Sequence, residues 1–136
     1  GTVLKYMGDG FLAVFGAPSP RTDHARAAVE AVRAVERDLA AWNAERTRAG
    51  ESPWRYGIGM HTGPVVWGSV GADERPELTL IGDAVNVAAR LQEASKGLGA
   101  TVVLSEATWR SGGHPPARGP IAHEIRGRQG VLSVYV

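Results

Sequence analysis

Asn86 and Arg90 lie four residues apart in Leu78-Thr79-Leu80-Ile81-Gly82-Asp83-Ala84-Val85-Asn86-Val87-Ala88-Ala89-Arg90. A short apolar run ends there in Gly-Asp, and a helix opens. The spacing puts an amide and a guanidinium on one helix face, a turn apart. Arg presents a fixed fork of donors to phosphate oxygens, and Asn adds a neutral hydrogen-bonding group. Taken alone, the window reads first as an amphipathic helix capped by Asp83, with Arg90 in a solvated ion pair.

A second constellation is Lys5-Tyr6-Met7-Gly8-Asp9-Gly10-Phe11-Leu12-Ala13-Val14-Phe15-Gly16. Apolar, β-prone residues flank Gly-Asp-Gly, which signals a hairpin. Asp9 then occupies the tip, where a carboxylate can reach a hard cation such as Mg²⁺. The plainer alternative is an ordinary Asp-Gly turn with Lys5 as a surface charge.

These residues need elements to position them. Residues 3–7 and 11–15 read as the hairpin, and Ala17-Pro18-Ser19-Pro20 ends it. Residues 23–49 read as a long helix capped by Thr22 or Asp23, with Ala28, Val32, Val35, Leu39 and Trp42 as one buried stripe. Trp42 reads as a core anchor. Residues 54–61 and 64–70 read as strands joined at Thr62-Gly63, and residues 78–81 as a shorter one. Ala84, Val87, Ala88 and Leu91 form the apolar side of the helix that carries Asn86 and Arg90. Residues 101–104 read as a strand, with Ser105 capping a short helix to about residue 110. Residues 122–126 and 131–136 read as a closing hairpin. His61 has no second His or Cys at ligand spacing and reads as structural; His114 reads as exposed and inert. The order of elements suits an α+β sandwich, a mixed sheet with helices packed on one side.

Composition bounds the function classes. A chain of 136 residues is one domain at most, large enough for a real core. Hydrophobic residues at 43% and charged residues at 21% describe an ordinary globular chain. A net charge of +1 argues against a strong pull toward nucleic acid or anionic membrane. The absence of cysteine excludes disulfides and thiolate metal sites and suits a cytosolic domain. No apolar run reaches the length of a membrane span, so any membrane anchor would lie elsewhere in the protein.

Together with Tyr56-Gly57-Ile58-Gly59-Met60-His61-Thr62-Gly63-Pro64-Val65-Val66, the two constellations resemble the class III nucleotidyl cyclases, the adenylyl and guanylyl cyclase catalytic domains. The resemblance covers nearly the whole chain. It implies a ferredoxin-like α+β sandwich with a mixed, mostly antiparallel sheet. It also implies conversion of a nucleoside triphosphate into a 3′,5′-cyclic monophosphate and pyrophosphate, assisted by two divalent metal ions, Mg²⁺ or Mn²⁺. Asp9 matches a metal-binding aspartate, Asn86 the residue that orients the ribose, and Arg90 the one that stabilises charge at the α-phosphate. Arg126 lies near where the family places a basic residue against the terminal phosphates; Arg128 is equally well placed.

Base choice rests on Lys5 and Thr79. Lys only donates and suits an acceptor nitrogen of adenine, while a Thr hydroxyl can accept from its exocyclic amine. Within the family, adenylyl cyclases carry Lys with Asp or Thr at these positions, and guanylyl cyclases typically carry Glu at the first. ATP is therefore the expected substrate. The resemblance further implies a homodimer, with the metal aspartates from one protomer and the base-reading and Asn/Arg residues from the other.

In the family an earlier strand carries the first metal aspartate, and no Asp or Glu precedes Asp9 here. The expectation is a single cyclase catalytic domain, residues 1–136, cytoplasmic, lacking its N-terminal strand and inactive by itself. The alternatives are a guanylyl cyclase, or a non-catalytic cyclase-like module that binds nucleotide or a partner. A cyclic-dinucleotide synthase is disfavoured, because no Gly-Gly-(Asp/Glu)-Glu-Phe hairpin occurs.

Overall fold

Residues 1–70, 77–124 and 130–136 are described by the computed structural model. The chain opens with β1 (Thr2–Met7) and β2 (Gly10–Val14), an antiparallel hairpin in which Met7 pairs with Gly10. Gly8-Asp9 is thus a two-residue loop. Gly8 carries the positive φ of 62° and Asp9 does not, the pattern of a II′ turn with glycine first.

The long helix α1 (His24–Arg48) follows, then the short strand β3 (Ile58–Met60). A second antiparallel hairpin comprises β4 (Val66–Val70) and β5 (Glu77–Ile81). Helix α2 (Asp83–Gly97), strand β6 (Val102–Ser105) and helix α3 (Glu106–Ser111) come next. Strands β7 (Ile121–Glu124) and β8 (Val131–Tyr135) close the fold. Among the described residues no helix is long and apolar enough to cross a membrane.

Four strands form the central sheet in the order β3-β6-β8-β7, with β3 parallel to β6 and the other pairs antiparallel. Alternation along the strands divides the core in two. Val103 and Val134 face α2, where they join Val87 and Leu91. Leu104 and Tyr135, one residue on, face α1 and join Val29 and Met60, with Trp109 of α3 beside them. The α+β sandwich with a mixed, mostly antiparallel sheet is therefore what the chain forms. The helices do not share one side as expected: α2 covers one side of the sheet and α1 with α3 the other, because apolar residues alternate onto both of its faces.

Several local readings change. The buried residues of α1 are Ala25 and Val29, near its start, whereas Val35 and Trp42 are exposed. Its 25 residues span about 37 Å, roughly twice the width of four strands spaced ~4.8 Å apart, so the helix overruns its sheet. Trp42 consequently packs on Trp54 (5.1 Å between ring centroids) and under Arg46 rather than in the core. Strand β3 is shorter than the expected 54–61, and at the start of that run Asn43 takes the backbone of Trp54. Trp54 N–H donates to Asn43 Oδ1 (2.7 Å), and Asn43 Nδ2 donates to the Trp54 carbonyl (3.0 Å).

Asp23 occupies the N-cap position of α1 but makes no capping bond. The Arg21 guanidinium engages its carboxylate instead and holds that carboxyl below the usual range. Gly82, not Asp83, is the N-cap of α2; Asp83 lies in the first turn, where a negative charge suits the helix dipole. Ser105 caps α3 as expected, its Oγ accepting the Thr108 N–H.

Helix α2 rests on backbone. A methyl built on Gly59 would overlap the Ala88 carbonyl and the Gln92 amide, and one on Gly57 would meet Ser95 and Gln92. Farther along, a methyl on Gly63 would stand 3.1 Å from Ala84 Cβ, and one on Gly82 would stand 2.9 Å from the Pro64 carbonyl oxygen. Strand β3 and the loop after it thus form a track without side chains on which α2 lies.

Gly59→Ala is therefore expected to destabilise the fold by about 2–3 kcal/mol, because helix backbone cannot yield. Gly97→Ala, with open space at its Cβ, is expected to be neutral or to gain up to about 1 kcal/mol. Urea midpoints of the two variants test this, and equal midpoints would remove the track.

Candidate functional site

Asn86 and Arg90 are both exposed on α2, one turn apart. The Leu91 and Val87 side chains anchor the adjoining side of the helix, about 100° around, and are almost wholly buried. The glycine track fixes the helix axis, so the direction in which the amide and guanidinium project is set by backbone packing.

Arg90 is held by Glu93, its Nη1 donating to Oε2 (2.8 Å) and Oε1 (3.1 Å). Both partners are exposed, and such pairs contribute about 0–1 kcal/mol. A phosphate offers a bidentate, more strongly charged acceptor and can displace that carboxylate readily. Asn86 has no hydrogen-bond partner among the described residues. Both groups are available to a ligand.

Lys5 and Asp9 belong to the β1–β2 hairpin. Lys5 lies in β1 opposite Leu12, and Asp9 is at the tip; both are exposed. Neither ion-pairs with α2 among the described residues. Thr79 takes the register position opposite Gly68 in the β4–β5 hairpin. Arg126 and Arg128 lie outside the described residues.

The sequence-derived residues therefore fall into separate groups: an amide and a guanidinium on α2, a lysine and a carboxylate on one hairpin, and Thr79 on another. The hairpins share a further property. Tyr6 is 77% exposed and Val66 68%, and Met7, Phe11 and Ile81 are also well exposed. The elements that carry Lys5, Asp9 and Thr79 thus present apolar side chains to solvent.

Asp9 offers the hard oxygen donor that a divalent cation prefers. Among the described residues, however, no group of three His, Cys, Asp or Glu side chains lies together to hold a metal. Asp9 is thus not part of such a group among the described residues.

One feature escaped sequence reasoning, and a second, the solvated ion pair of Arg90, was read without its partner. Gly57 and Gly59 read only as members of a motif, although alternate glycines within a strand signal close backbone approach. Glu93 as the resting partner of Arg90 was legible from its three-residue spacing.

Comparison with known proteins shows the family. The sequence pattern of the adenylate and guanylate cyclase catalytic domain matches residues 2–134. The chain is 42% identical over 107 residues to adenylate cyclase 1 of Rhizobium meliloti, covering 79% of the chain but only 16% of that protein's length. Its fold resembles the crystal structure of the adenylyl cyclase CyaB from P. aeruginosa, with a TM-score of 0.85 and 27% identity, covering 98% of this chain and 69% of that one. It likewise resembles the guanylyl cyclase Cya2, with a TM-score of 0.84 and 28% identity, covering 98% of this chain and 68% of that one. With nearly every residue inside the match and both motif groups at the surface of this fold, the chain belongs to the family of adenylate and guanylate cyclase catalytic domains.

Proposed function

We propose that the chain is most of the catalytic domain of an adenylyl cyclase, converting ATP into 3′,5′-cyclic AMP and pyrophosphate in the cytoplasm. The exposed pair Asn86 and Arg90 on a backbone-seated helix is the observation that carries this reading. In the reaction the ribose 3′-oxygen bonds to the α-phosphorus, its proton leaves, and the bond to the pyrophosphate oxygen breaks. Asn86 orients the ribose. Arg90 leaves Glu93 and neutralises charge developing on the α-phosphate, the kind of stabilisation that usually dominates. Arg126 or Arg128 holds the terminal phosphates.

Divalent ions, when bound, supply a more acidic attacking hydroxyl and neutralise phosphate charge. Asp9 would provide one of their oxygen ligands. The partner carboxylate is not among the acidic residues that could precede Asp9, since there are none. The chain spans about two thirds of each compared cyclase structure. The 136 residues alone would accordingly show little or no turnover.

Lys5 and Thr79 favour adenine, and the adenylate cyclase relatives support that choice. The site forms between two copies, because a single chain leaves Asp9 and Arg90 in separate groups and displays apolar hairpins. A homodimer so built has two equivalent sites. A second reading, a cyclase-like module that binds nucleotide without turnover, draws on the lone carboxylate at Asp9.

In the full-length protein supplied with Mg²⁺ or Mn²⁺, Arg90→Ala is expected to lower kcat about 100-fold or more while the thermal midpoint stays put. Wild-type turnover in that variant would overturn the assignment. Lys5→Glu is expected to shift the ATP-over-GTP ratio of kcat/KM toward GTP, read as cyclic AMP against cyclic GMP; an unchanged ratio would take Lys5 out of base recognition. Absence of either product from a folded dimer would favour the nucleotide-binding module.

A further inference from the structure

Where β3 ends, its last residues are tied to the first turn of α3 by a compact polar network. His61 Nδ1 lies 2.8 Å from Ser105 Oγ, and Ser105 Oγ accepts the Thr108 N–H at 3.3 Å as the cap of α3. Thr108 Oγ1 donates to the Met60 carbonyl (3.3 Å) and lies 3.1 Å from Thr62 Oγ1. Ser105 and Thr108 are buried, so each lost partner leaves a polar group without water to replace it. The network therefore fixes residues 60–62 tightly.

The same loop is the wall against which α2 begins. Gly63 is confined between the His61 ring and Ala84: a methyl there would stand 3.2 Å from Nε2 and 3.1 Å from the Ala84 Cβ. Pro64 and Val65 press on Gly82, the N-cap of α2. Asn86 follows within a turn of that cap, and Arg90 one turn later. A continuous chain of contacts thus runs from the α3 cap through His61 and the loop to the first turn of α2.

We propose that His61 is a positioning residue for Asn86 and Arg90, acting through its Nδ1 contact with Ser105 to fix the 61–65 loop and the start of α2. This rests on the cyclase reading for its effect on turnover, but the mechanical part stands independently. Displacement of about 1 Å at reacting groups can lower a rate by roughly 10²-fold, so a loosened helix start matters to chemistry more than to binding. Substrate still meets the same surface, and KM is insensitive when only transition-state contacts weaken.

The test uses the full-length protein with His61→Ala, His61→Asn, His61→Gln and Ser105→Ala. An asparagine amide reaches the place of Nδ1, and a glutamine amide overshoots toward that of Nε2. His61→Ala, His61→Gln and Ser105→Ala are expected to lose about 10- to 100-fold in kcat with KM for ATP within about twofold. His61→Asn is expected to recover most of that loss. Amide hydrogen exchange of residues 83–87 should quicken in the first three variants and not in His61→Asn.

Equal kcat and equal exchange in the Asn and Gln variants would overturn the proposal, even if the Ala variant failed to fold. If the wild-type protein makes no cyclic nucleotide, the cyclase reading fails, and the exchange arm alone decides. Unchanged protection of the α2 start in His61→Ala would then refute the positioning role.

Discussion

Direct backbone contact between β3 and α2 is the constraint on which the rest of the structure depends. Side chains at positions 57 and 59 would hold the helix off the strand, and Val87, Val103, Val134 and Leu91 would lose their seat between α2 and the sheet. Close packing of this kind tolerates little displacement. It also sets how Asn86 and Arg90 are presented, because they lie on the side of α2 that is not pressed to the strand. The glycines that look like punctuation in the sequence therefore decide where a guanidinium points.

A second theme is division. The central sheet is covered on both sides and holds the two buried clusters. The two hairpins, by contrast, leave Tyr6, Met7, Phe11, Val66 and Ile81 in contact with solvent. On the proposed reading a second copy covers them. The same association would bring the carboxylate on one hairpin to the helix pair of the other copy. Stability of the dimer and completion of the site would then be one event.

Much of the fold was legible, for local reasons. Gly-Asp-Gly between β-prone runs fixed a two-residue loop, and Ser105 before Glu106 fixed a cap; both depend on few residues close in sequence. The errors came where distant groups intervened. The Val35 to Trp42 stripe has helical period, yet period cannot reveal that the sheet beneath is half as long as the helix. The strand expected at 54–61 is shorter, and at the start of that run Asn43, eleven residues away, takes both backbone groups of Trp54 with its amide. Of the candidate site, the residue types and their helical or hairpin spacing were readable. How the hairpin that bears Asp9 and the helix that bears Arg90 are placed relative to one another was not, since that depends on packing between elements.

The shared site is the central claim, and complementation tests it most directly. Full-length copies carrying Asp9→Asn would be co-expressed with copies carrying Arg90→Ala, and the mixture assayed for cyclic AMP. Each variant alone should be inactive. Random pairing makes half of the dimers mixed, and each mixed dimer holds one site free of both substitutions, so about a quarter of wild-type turnover should return. A mixture as inactive as its components, with mixed dimers demonstrably present, would contradict a site built from two chains.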